Sequence, residues 1–183
     1  LKKGFAYTKI FNDCHKELSS FILDHHLKYP GESRETKIPL YLKEFSKYTN
    51  NNKLPQLEEL KNKFSVACIE ILSEIPIYKD IEGFLKNNKK NNFIITNMPQ
   101  REIDLVLREK TLDNLFVEVI GDAINKTIII QEIIKSIKEI NKCVFIGDSQ
   151  NDYKSAKNCG IDFILKTSKL NKDLQSIPGI KTI

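Results

Sequence analysis

The stretch CVFIGDSQND, residues 143–152, decides the reading of this chain. It opens on apolar residues in a run too short for a helix, so Cys143–Ser149 reads as a buried strand. The polar residues that follow lead into a helix over Asp152–Asn158, and Gly160 stands where a helix stop belongs. FIL at Phe163–Leu165 is then the next strand. Strand, helix and strand in so short a space make the repeating unit of a parallel sheet. The same alternation extends backwards, through a helix over Thr127–Glu139, a strand at Val117–Ile120, a helix over Arg101–Glu109 and the strand FIIT at Phe93–Thr96. A short helix near Lys79–Asn88 leads into it. The expected fold is α/β, a doubly wound parallel sheet from about residue 76 onward.

The first part of the chain has a different character. Tyr7, Ile10, Phe11, Cys14, Leu18, Phe21 and Ile22 recur at helical spacing and predict one long amphipathic helix from Phe5 to about His25. A break at Tyr29-Pro30-Gly31-Glu32 follows, then a helix from Pro39 to Phe45, a polar loop over Thr49–Lys53 and a helix from Leu57 to Leu72. The expected division is a small all-helical lobe over residues 1–75 and the α/β unit over residues 76–183.

Composition bounds the function classes. A 40% hydrophobic and 29% charged chain of 183 residues has enough apolar material for a real core. Its net charge of +5 comes from lysines spread along the whole length, without aromatic interleaving or an Arg-rich block, so no nucleic-acid partner is expected. Cys14, Cys68, Cys143 and Cys159 show no metal-ligand spacing, which points to a reducing, cytoplasmic setting. No apolar run approaches the ~20 residues of a membrane span, so no membrane association is expected. The single methionine is Met98, so Leu1 is not expected to be the translated start.

In open parallel sheets ligands bind beyond the carboxyl ends of the strands. Thr96 and Asn97 close one strand there, Asp148, Ser149, Asn151 and Asp152 follow another, and Lys126 begins the helix between the two strands. A hydroxyl, an ammonium and two carboxylates at one sheet edge suit phosphate: Thr96 can donate to phosphoryl oxygens, Lys126 can neutralise charge and Asp148 can hold Mg²⁺. Taken singly, each is an ordinary turn, surface or capping residue.

Their order and spacing carry a resemblance. Thr96 within IITNMP resembles the second motif of the haloacid-dehalogenase superfamily, Lys126 its third, and GDSQND at Gly147–Asp152 its fourth, followed by AKNCG ending at Gly160. The resemblance covers about residues 76–168. It implies that the N-terminal helices are the helical cap found in many small-molecule phosphatases of that superfamily, such as those like phosphoglycolate phosphatase. It also implies Mg²⁺-dependent hydrolysis of a small phosphorylated metabolite through an aspartyl-phosphate, with Thr96, Asn97, Lys126, Asp148 and Asp152 as catalytic residues. Asp148 and Asp152 would be the metal residues.

The superfamily's first motif, Asp-x-Asp, has no match in the sequence. Asp13 is the only early candidate; it falls within the predicted helix and has no second aspartate two residues on. The nucleophile is therefore expected upstream of Leu1, and the 183 residues alone are expected to be inactive. Arg34 and Lys37, near the Pro30-Gly31 turn, are candidate substrate-binding residues for a carboxylate or second phosphate. His15, His25 and His26 read as surface residues. The alternatives are a phosphomutase using the same core residues and an inactive binding or scaffold relative. A receiver-type signalling domain fits poorly, since its acidic cluster precedes its Thr and Lys.

Overall fold

The computed structural model describes residues 2–11, 15–29, 32–49, 54–87, 92–137 and 142–183. The expected breaks at Pro30-Gly31 and over residues 50–53 lie outside these, as do Asp13 and Cys14. The elements are α1 (Lys2–Lys9), α2 (Lys16–Lys28), α3 (Arg34–Phe45), α4 (Leu57–Glu74), α5 (Lys79–Asn87), β1 (Phe93–Ile95), α6 (Gln100–Glu109), β2 (Glu118–Ile120), α7 (Lys126–Ile137), β3 (Val144–Gly147), α8 (Gln150–Cys159), β4 (Asp162–Leu165), α9 (Lys172–Gln175) and β5 (Lys181–Thr182). They form two compact units: residues 1–94 with 98–121, and residues 95–97 with 122–183.

The first unit is built around helices. On α2, Leu18, Ile22 and His26 recur every four residues and are buried; on α4, Leu60, Phe64 and Cys68 do the same, with Ala67 buried beside them. Tyr7 stacks on Phe64 with ring centroids 4.1 Å apart and meets Tyr41 edge-on at 5.2 Å. Burying a ring such as Phe64 stabilises by about 2–3 kcal/mol. β1 pairs with β2.

Two helix assignments are corrected here. The helix predicted over Phe5–His25 is two helices, because α1 ends at Lys9 and the Phe11 amide turns back to the Thr8 carbonyl at 3.1 Å. Tyr7, Ile10, Phe11, Leu18 and Ile22 all enter one core, so the apolar rhythm carries across the break. The helix predicted from Pro39 starts at Arg34, where the Ser33 hydroxyl caps it by accepting from the Thr36 amide at 3.3 Å. Pro39 sits in its second turn and is exposed, so its missing N–H costs one helical hydrogen bond.

The second unit holds a parallel sheet in the order β3-β4-β5, with Val144 opposite Asp162 and Gly147 opposite Leu165. Helix α8 makes the crossover between β3 and β4, burying Ala156 and Cys159. The strand predicted as Cys143–Ser149 ends at Gly147, and α8 begins at Gln150 rather than Asp152. β5 has only two residues and shows no periodicity.

Helices α6 and α8 end in the same way. Gly160 takes the left-handed conformation after α8 at φ 67°, with the Gly160 amide on the Lys157 carbonyl and the Ile161 amide on the Ala156 carbonyl, both at 3.2 Å. After α6, Thr111 does this at φ 54°, its amide on the Arg108 carbonyl at 3.0 Å and the Leu112 amide on the Leu107 carbonyl at 2.9 Å.

Candidate active site

Thr96, Asn97, Lys126, Asp148 and Asp152 all belong to the second unit. β3 ends at Gly147, and α8 starts with a reciprocal cap: the Ser149 hydroxyl accepts from the Asp152 amide at 3.2 Å, and Asp152 Oδ2 accepts from the Ser149 amide at 3.1 Å. Asp152 Oδ2 also accepts from the Ser149 hydroxyl at 2.7 Å and the Asp148 amide at 3.3 Å. The carboxylate thus lies against the strand end. A Cβ at position 147 would stand 2.5 Å from Asp152 Cβ, so only glycine fits there.

The other oxygen of Asp152 accepts from Lys126 Nζ at 2.7 Å. Burial disfavours the charged carboxylate. The hydrogen bonds from Lys126 and Ser149 and the lysine's charge outweigh that and hold its pKa below the ordinary value. Thr127, next along α7, places its hydroxyl 3.2 Å from that of Ser155 on α8, and Cys159 Sγ donates to the Thr127 carbonyl at 3.4 Å. These contacts align the first turn of α7 with α8 and so bring Lys126 to Asp152.

Asp148 is exposed, and among the described residues its carboxylate has no hydrogen-bond or ionic partner. Its backbone is held on both sides, the amide by Asp152 and the carbonyl by Asn171 Nδ2 at 2.9 Å. The Thr96 carbonyl accepts from the Ala123 amide at 2.9 Å, which ties the end of the FIIT strand to the turn before Lys126. Asn97 is exposed. Asn171 was not legible as a site residue, since nothing in SKLN at 168–171 points to Asp148.

Arg34 and Lys37 lie in the first unit, each already engaged. Arg34 makes a two-pronged ion pair with Glu102 at 2.6 and 2.8 Å, donates to Ser65 Oγ at 2.8 Å and lies over the Phe64 ring. Lys37 is wholly buried and donates to the Tyr29 carbonyl and to His26 Nδ1. His26 is itself buried rather than on the surface, because it covers Lys37 and the Tyr7 ring.

A single open carboxylate as a hard oxygen donor suits Mg²⁺, which keeps several waters and takes one or two carboxylates. Asp148 meets that requirement. Both oxygens of Asp152 are engaged by Lys126, Ser149 and the Asp148 amide, and among the described residues no three potential ligands cluster.

The pattern of the haloacid dehalogenase-like hydrolases matches residues 9–160. The chain belongs to that family. A phosphoglycolate phosphatase of Mannheimia succiniciproducens is 29% identical over 124 residues, 57% of this chain and 51% of that protein, so the match spans about half the relative's length. Family folds match as well. A predicted phosphoglycolate phosphatase from Haemophilus somnus superposes with a TM-score of 0.73 at 17% identity, covering 99% of this chain and 86% of that one. A magnesium-bound HAD-type hydrolase of Bacillus subtilis superposes at 0.64 and 17% identity, covering 100% and 86%.

Proposed function

We propose that this chain carries the phosphate-handling part of a Mg²⁺-dependent phosphoric monoester hydrolase acting on a small phosphorylated metabolite. The observation that carries the reading is the Lys126–Asp152 ion pair, fixed at the sheet edge beside the open carboxylate of Asp148.

In this reading an aspartate carboxylate attacks the phosphorus, the bond to the leaving oxygen breaks, and that oxygen takes up a proton. Water then cleaves the aspartyl-phosphate and releases phosphate. The sequence contains no Asp-x-Asp, so the nucleophile belongs to a segment outside these residues. The Thr96 hydroxyl donates to a phosphoryl oxygen and Asn97 helps to orient the group. Lys126 Nζ neutralises the charge that develops, and Asp152 keeps that ammonium aimed. Asp148 would hold Mg²⁺, with Asp152 acting through Lys126 and the loop; bound there, the metal supplies charge neutralisation at the phosphoryl oxygens. Arg34 and Lys37 are left out because Arg34 is paired with Glu102 and Lys37 is wholly buried.

Residues 1–75 serve as the helical cap and residues 76–183 as the catalytic core. A reducing cytoplasm suits the free thiols of Cys68 and Cys159, and no described helix is long and apolar enough to cross a membrane. The test is phosphate release by the full-length protein from 2-phosphoglycolate and a panel of sugar phosphates, with Mg²⁺ and with chelator. Mg²⁺-dependent release by the full-length protein and none by the 183 residues alone is expected. No release from any ester by the full-length protein would overturn the reading.

A further inference from the structure

Asn171 is a polar side chain only 7% exposed, and all of its hydrogen-bonding capacity is used. Its Nδ2 donates to the Asp148 carbonyl and the Lys166 carbonyl, each at 2.9 Å. Its Oδ1 accepts from the Ser168 amide and from Gln175 Nε2, each also at 2.9 Å. The orientation of the amide is fixed by these partners. Turned over, its oxygen would face two carbonyl oxygens and its N–H₂ would face two donors.

This amide joins the loop after β3 to the loop after β4. A second bond runs parallel to it, from the Lys166 amide to the Gly147 carbonyl at 2.8 Å. On its other side the Asp148 amide is held by Asp152 at 3.3 Å. Both polar groups of the Asp148 backbone are therefore tied down, while its carboxylate is left open. Fixing a backbone in this way reduces the conformational freedom that ordering the side chain around a ligand would otherwise cost.

We infer that Asn171 is the positioning residue that presets Asp148 for its metal ion, an inference that rests on the proposed role of Asp148. Partners in this position, one bond removed from the ligand, change metal affinity by about 10–100-fold when removed. Asn171 acts on the backbone rather than on the carboxylate, which sets the expectation at the lower end.

The test is Mg²⁺ binding by calorimetry on the full-length protein, with the Asp148 carbonyl ¹³C resonance as a second readout. Asn171→Ala should weaken Mg²⁺ about 10-fold and move that resonance. Thr167→Val, which removes a hydrogen bond to the Ile183 carbonyl in the same region, should lower the melting temperature and leave Mg²⁺ affinity unchanged. Unaltered affinity in Asn171→Ala, or equal weakening in Thr167→Val, would overturn the inference. If Asn171→Ala does not fold, Gln175→Ala decides. It removes the Nε2 donor to Oδ1 together with that group's bond to the Ser168 carbonyl and should move the same resonance and affinity to a smaller extent; no change in either overturns the inference. Asp148→Asn separates the two layers. If it leaves Mg²⁺ binding intact, the metal role of Asp148 falls and this inference with it; if it abolishes binding while Asn171→Ala does not weaken it, only the inference fails.

Discussion

Two lysines show how differently the two units use the same side chain. Lys37 is wholly buried among helices, and its hydrogen-bond partners are a carbonyl and an imidazole. Burial pushes its pKa down to about 8, against the pull of the Glu32 charge. Lys126 lies at a sheet edge, partly open to solvent, and its partner is a carboxylate 2.7 Å away. A lysine held by neutral acceptors in a core acts as a donor whose charge is a burden; one held by a carboxylate at an edge keeps its charge available to an incoming anion.

The strongest way to break this contrast is at Lys126. In the full-length protein Lys126→Ala should lower kcat about 10²–10³-fold, the range for losing one transition-state donor, read as initial rates of phosphate release. A smaller loss would mean that the ammonium only balances Asp152. Next in size, Glu102→Ala leaves the mostly buried guanidinium of Arg34 without its partner and should cost about 3 kcal/mol in urea unfolding followed by far-UV circular dichroism. Gly147→Ala forces Asp152 away from the strand end and should cost about 2 kcal/mol by the same measurement.

The last test is a pH dependence. Lys37 has an ordinary pKa of 10.5 and a folded value of about 8, so between these the unfolded chain binds the extra proton and stability rises with pH. Burial also suppresses ionisation of Cys68, Tyr7 and Tyr41, which acts in the opposite direction at high pH. The useful quantity is therefore the difference between wild type and Lys37→Met, since those groups are common to both. Wild type should gain on the variant from pH 8 towards 10.5 in urea titrations; a constant difference would mean that Lys37 is not desolvated as its burial implies. His26, lowered by burial and by the Lys37 charge from 6.5 to about 4, adds a loss of stability as pH falls through that interval.

Much of the second unit was legible because its signals are local. The cap of α8 is written as Ser149 and Asp152 three apart, and the end of that helix as Gly160. The strand ends that bear Thr96 and Asp148 followed from short apolar runs. The helical unit was less legible because its decisive events are tertiary. The α1–α2 break hides in an unbroken apolar rhythm. Arg34, Lys37 and His26 are residue types that usually face water, and partners such as Glu102, Ser65, Tyr29 and Tyr7, distant or across a turn, draw them inward. Asn171 was missed for the same reason, since its partner Asp148 is 23 positions away.

The two matching helix ends, Gly160 after α8 and Thr111 after α6, are an unequal pair. Glycine accepts a left-handed backbone without strain, whereas a β-branched threonine is held there at a cost of about 1–2 kcal/mol. Position 111 is therefore an unused margin of thermal tolerance. A protein engineer seeking a hardier variant would begin there, and a lineage moving to a warmer habitat would have a single-codon route to the same gain through asparagine.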